Sequence, residues 1–135
     1  MVDWRAVGNH YVLYQLARQG CACSHVEKGI ASIVACNEDG TRVALVAVKV
    51  RQRRQAWLVN AEERQLAKRN LSYVFVDFSA DQVPPCFVVS SSAVARVLAE
   101  NLSWPGDAWT ARWLEPHRNA WHVLGLDRPG LAVAS

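Results

Sequence analysis

The chain has 135 residues, 51% of them hydrophobic and 20% charged, with a formal net charge of +3. That length and composition describe one domain with a real core rather than two domains or a disordered tail, and a charge of +3 is too small by itself to demand a polyanionic partner. No uncharged apolar run reaches the ~18 residues that cross a bilayer, and Met1-Val2-Asp3-Trp4-Arg5 lacks the basic start and apolar core of a signal peptide, so the expectation is a soluble, cytoplasmic protein with no membrane partner.

From Asp3 to Gly20, apolar and aromatic residues recur at Trp4, Val7, Tyr11, Val12, Tyr14, Leu16 and Ala17, which is a helical period, and Gly20 supplies a stop. The next ten residues show no clear period, with a short strand as a candidate around Cys21 to Ser24. Between Ile30 and Val50 two apolar runs flank Asn37-Glu38-Asp39-Gly40. Asp-Gly between apolar runs is a strong hairpin signal, because glycine accepts the positive φ that the turn demands. Trp57-Leu58-Val59 reads as a further short strand. Asn60 then stands as an N-cap before Ala61-Glu62-Glu63-Arg64, whose acids suit the positive end of a helix dipole, and this second helix is expected to end near Lys68.

Ser72 to Phe78 is β-branched and aromatic and reads as a strand. Pro84-Pro85 interrupts pairing, Cys86 to Val89 makes another strand, and Ser90 to Ser92 can cap a third helix reaching Leu102 through Val94, Val97 and Leu98. From Ser103 onward tryptophan dominates: Trp104, Trp109, Trp113 and Trp121 are four of the six in the chain. With Pro105 and Pro116 among them, the tail is expected to form packed loops and a terminal strand from Trp121 to Leu126. No internal repeat interrupts this reading of residues 1–135 as a single domain. The order α-β-β-β-α-β-β-α is that of an α/β protein with a mixed central sheet flanked by helices.

Charge is unevenly placed. Seven basic residues (Lys49, Arg51, Arg53, Arg54, Arg64, Lys68, Arg69) lie between positions 49 and 69 against Glu62 and Glu63. One reading is a solvated strand end and an ordinary surface helix; the other is a phosphate-backbone contact by Lys49, Arg51, Arg53 and Arg54. The tryptophans also have two readings. They cap a core, or Trp104, Trp109, Arg112 and Trp113, with Arg118, form a partner-binding surface that requires two or more exposed rings.

Other chemistry finds little support. Cys21, Cys23, Cys36 and Cys86 fit neither a zinc ribbon nor a Cys-x-x-Cys pair and read as free thiols. His10, His25, His117 and His122 show no paired ligand spacing, and a Cys23–His25 dyad lacks an orienting acid. There is no P-loop and no Gly-x-Gly-x-x-Gly, so nucleotide hydrolysis and dinucleotide chemistry are unsupported.

Several short stretches, taken together, resemble the small single-domain members of the PD-(D/E)XK nuclease superfamily, the restriction-endonuclease-like fold. They are Gly8-Asn9-His10-Tyr11-Val12, the hairpin Ile33 to Gly40, Val48-Lys49, Trp57, Tyr73 to Asp77, Pro85 to Val89 and a late tryptophan, spanning Gly8 to Trp113. The resemblance implies an acid on the first hairpin strand, an acid or glutamine two residues before the lysine and, in many members, a glutamate on helix one. These would hold Mg²⁺ against the scissile phosphate, with the lysine activating the water. This chain has Ser32 (or Ala31, if the register slips by one) at the first place, Ala47 at the second and Asn9 at the third; Lys49 alone is kept.

Alanine offers no ligand atom, and a hydroxyl or amide is a weak substitute for a carboxylate at Mg²⁺. The expectation is a degenerate domain that holds no metal or cofactor, leans away from catalysis and binds nucleic acid, DNA in preference, or serves a structural role. An active Mg²⁺-dependent endonuclease is the first alternative. It needs acids relocated to Glu27, Glu38 or Asp39, of which a turn residue lies about 13 Å of strand from a sheet-centre metal, or acids restored at Ala31 and Ala47, alanines that an engineered knockout would also carry. A protein-interaction module, assembling as a homo- or hetero-oligomer through the tryptophan-rich tail, is the second.

Overall fold

Asp3 opens the first helix, α1 (Trp4–Arg18), by accepting the Ala6 N–H at 3.2 Å, and Gly20 closes it at a positive φ of 85°. In this computed structural model the residues described are 2–26, 29–53, 56–60, 63, 68, 70–79, 83–101 and 104–126. Gly8, Val12 and Leu16 recur every fourth position and form the buried stripe of α1. Gly8 is the point of closest approach, because a Cβ there would collide with Val50 Cγ1.

Five strands follow: β1 (Ala22–His25), β2 (Ile33–Cys36), β3 (Val43–Arg51), β4 (Leu71–Asp77) and β5 (Cys86–Ser90). They form one sheet in the order β1-β2-β3-β4-β5, antiparallel except between β3 and β4, which run parallel. A parallel pair demands a crossover, here residues 52–70. The β2–β3 hairpin turns at the expected place. Gly40 sits at φ 74°, and the Asn37 side chain spans the turn, donating to Thr41 Oγ1 at 3.0 Å and accepting from Arg42 N at 2.9 Å.

The sheet has a core on each face. One, under α1, gathers Val12, Leu16, Ile33, Val46, Val74 and Val88. The other gathers Ala47, Tyr73, Phe75, Phe87 and Val89 against α2 (Ser91–Glu100) and α3 (Asp107–Leu114), which contribute Val94, Leu98 and Leu114. Ser90 caps α2 by accepting the Ala93 N–H at 3.2 Å. The protein is therefore α/β, a five-stranded mixed sheet flanked by helices.

The expected order of elements needs three changes. The candidate strand near Cys21 to Ser24 is real, as β1. Trp57-Leu58-Val59 is not a strand: Trp57 and Val59 are buried and Leu58 is 78% exposed, so the alternation exists without ladder partners. The tail is not loops and a strand. It holds α3, then one 3₁₀ turn at Glu115–His117 and another at Trp121–Leu124. Arg118 makes a lone bridge to Phe87, and Asn119, at φ 53°, turns the chain off the β5 edge so that Ala120, Leu124 and Leu126 drop into the α1-side core. The second helix, expected between Asn60 and Lys68, lies for the most part outside the described residues, as do Leu102 and Ser103. No described helix is long and apolar enough to cross a membrane.

Cys86 starts β5 inside the α1-side core, where burial pushes its thiol from an ordinary value of 9.0 up to about 12. Above pH 9 the unfolded chain loses this proton while the folded chain keeps it, so stability is complete below that pH and declines toward pH 12. Urea midpoints taken from about pH 8 to about pH 11 should hold level at first and then fall by the equivalent of about 1.4 kcal/mol per pH unit once the pH exceeds the thiol's ordinary value of 9.0, and Cys86→Ala should flatten the decline. An unchanged slope in Cys86→Ala would assign the alkaline loss to other groups.

Candidate functional site

Lys49 and Arg51 alternate with Val48 and Val50, and Val48 and Val50 face α1 at Gly8. The two cations therefore project from the opposite face, in register with Phe75 and Asp77 of β4. Lys49 Nζ lies 2.6 Å from Glu63 Oε1 and 5.8 Å from the centre of the Tyr73 ring. The Glu63 side chain is 1% exposed and that of Lys49 17%. The second carboxylate oxygen of Glu63 accepts the Asn60 N–H at 2.8 Å, the returning half of a capping box. One acid thus ties the crossover to the sheet and neutralises the lysine beneath it. Burial first, and the nearby Glu63 charge second, hold the Tyr73 hydroxyl protonated, and that buried hydroxyl makes no well-formed hydrogen bond.

Arg51 is shared between Asp77 at 3.2 Å and Asp107 of α3 at 3.5 Å, with its guanidinium 5.5 Å from the centre of the Trp57 ring. Beyond it opens a cleft of about 580 Å³ at the carboxyl ends of β3 and β4, where α/β sheets place their ligands. Arg118 forms the other wall, 5.1 Å from the centre of the Phe87 ring and joined to Glu115 by two hydrogen bonds of 3.0 and 3.2 Å. That pairing lowers the pKa of Glu115 and raises that of Arg118. On the same wall as Asp77, Ser79 N donates to Asp77 Oδ1 at 2.9 Å, while Ser79 Oγ is buried with no partner among the described residues.

The positions singled out by the nuclease resemblance divide between the faces. Ser32 Oγ donates to Asn9 Oδ1 at 2.7 Å, both residues are buried, and they border a second cleft with His10 and His25 on the α1 side. Ala47 and Lys49 belong to the other core. The structure brings Asn9 to Ser32 and Lys49 to Glu63, and it does not bring the four together. Glu38 and Asp39 stay in the exposed turn; Glu27 and Arg54 lie outside the described residues. No group of three or more metal-ligating side chains occurs among the described residues.

Of the expected cations, Lys49 and Arg51 are ion-paired and Arg53 is exposed at the end of β3. The tryptophans form a ladder inward from the surface. Trp109 stacks on Trp113 at 5.8 Å, Trp113 meets Trp104 edge-on at 5.7 Å, and Trp104 stacks on Phe75 at 5.9 Å. Trp109, at 38%, is the one exposed tryptophan among the described residues, with Arg112 exposed beside it. Sequence reasoning missed Glu63 and Asp77 as site residues, and it grouped Arg118 with the tryptophans rather than with this cleft. The Asn-x-x-Glu spacing of a capping box marks Glu63 as facing back toward the sheet, and that signal could have found it.

Comparison with protein-family models, curated proteins and solved structures finds no match to this chain.

Proposed function

We propose that this chain is a nuclease-like domain of the PD-(D/E)XK type that has no cutting centre and binds nucleic acid, DNA in preference. The observation that carries the reading is the Asn9–Ser32 hydrogen bond. Where the resemblance implies two carboxylates drawn together by Mg²⁺, a neutral hydroxyl and a neutral amide satisfy each other without a cation. Ala47 is buried with no ligand atom, and Lys49 is occupied by Glu63 rather than held for a water nucleophile. The reading is supported by α1, the antiparallel β2–β3 hairpin and the parallel β3–β4 pair, and by Arg51 at the end of β3 with Arg53 just beyond it.

The interaction-module reading has weaker support, since Trp104 and Trp113 lie within the aromatic ladder and Trp109 alone meets the exposure that a docking surface needs. The test is fluorescence anisotropy on labelled single- and double-stranded DNA over a salt series, with a cleavage assay in Mg²⁺ and Mn²⁺ alongside. Binding without cleavage is expected. Neutralising Arg51, Arg53 and Arg54 should lower the log–log salt slope by about 1 for each phosphate that no longer meets a cation. Chelator-sensitive cleavage by the unaltered chain would overturn the inactive site, and absence of binding at low salt would overturn the nucleic-acid role.

A further inference from the structure

Arg51 and Arg118 line one cleft. Its volume of about 580 Å³ falls within the range of small-molecule sites. Its two guanidinium groups each lie over an aromatic ring, Arg51 over Trp57 and Arg118 over Phe87, and each is ion-paired, Arg51 with Asp77 and Asp107 and Arg118 with Glu115. An arginine restrained by a ring and a carboxylate is set in place before a ligand arrives, and guanidinium planes are among the groups on which unpaired bases stack. Among the described residues two arginines and two carboxylates border the cleft, which gives it no surplus positive charge with which to select a phosphate. The Asp77 and Glu115 oxygens retain lone pairs for ligand N–H groups, and the Ser79 hydroxyl, which has no partner among the described residues, calls for a polar neighbour.

We infer that this cleft receives one unpaired nucleobase bearing an exocyclic amino group, stacked between the guanidinium faces with its amino group donating to carboxylate. The pairing of a carboxylate with the cytosine amino group is the chemical precedent. Uracil and thymine turn carbonyl oxygens toward the same carboxylates and are disfavoured. The choice of ligand rests on the nucleic-acid reading above, yet the two can fail separately.

Calorimetric titration of the full chain with cytidine, adenosine and uridine, and then with oligodeoxycytidine and oligothymidine strands, tests the inference. The amino-bearing ligands should bind at least ~10-fold more tightly than their carbonyl counterparts. Ala111→Trp, at an exposed position of α3 on the cleft wall, should abolish that preference and leave thermal unfolding unchanged. Asp77→Asn, which presents a donor as well as an acceptor, should narrow the preference. A preference shown by strands and not by nucleosides identifies the source as unpaired nucleic acid; the reverse identifies a free nucleoside and removes support from the nucleic-acid role. Salt-sensitive strand binding with no base preference, or a preference that survives Ala111→Trp, overturns the cleft assignment and leaves the nuclease-like reading standing. Absence of binding by every ligand overturns both.

Discussion

Lys49→Met should destabilise the fold by about 3–5 kcal/mol, because it strands the Glu63 carboxylate in a buried place with no cation. The Lys49 ammonium sits over the Tyr73 ring and methionine nearly replaces the volume of the lysine stem, so the loss is one of charge compensation rather than packing. Adding Glu63→Gln to Lys49→Met should return much of the stability, since the amide keeps an oxygen for the Asn60 N–H and carries no charge. Urea unfolding of the two single variants and the double variant reads the coupling directly. A phosphate-contacting lysine behaves otherwise. Its replacement would leave the unfolding midpoint in place and weaken nucleic-acid binding alone, which would refute the structural role assigned here.

Phe75→Ala should cost about 3–5 kcal/mol. Phe75 is fully buried in the middle of β4 and touches three rings: Trp57 edge-on at 5.2 Å, Tyr73 at 6.1 Å and Trp104 stacked at 5.9 Å. Removing it opens a void under Trp57, the ring on which Arg51 rests, and cuts the tryptophan ladder from the sheet. Thermal unfolding should report the loss of stability, and near-ultraviolet circular dichroism should lose intensity as Trp104 and Trp113 lose their fixed setting. A small change in unfolding temperature with the near-ultraviolet signal intact would mean that the α2–α3 layer is held by Leu98 and Leu114 without the ring stack.

These two sites mark different degrees of legibility in the chain. Phe75 is readable from its neighbours, because Tyr-Val-Phe-Val is β-branched and aromatic throughout and a strand buried on both faces needs that composition. Lys49 is harder. Its place at the end of a strand and in a basic run argues for solvent or phosphate, and what reverses the argument is a carboxylate 14 positions later that returns across the sheet. Trp57-Leu58-Val59 shows the opposite error: an alternating pattern reports burial on one side, and it cannot report whether a neighbouring strand is present to pair.

The local sequence determined what local chemistry can determine. Asp3, Gly20, Gly40 and Ser90 set helix ends and the hairpin turn through caps and positive φ, and the apolar periods of α1, β3 and β4 selected an α/β sheet. Only the tertiary structure decided that Asn9 meets Ser32, that Lys49 and Ala47 lie across the sheet from them, and that Arg51 and Arg118 face one cleft. Those outcomes depend on the parallel register of β3 on β4 and on the turn at Asn119, both of which join residues distant in the chain. Hydrophobic periodicity carries no information about such pairings, because it records which face of an element is buried and not what covers it.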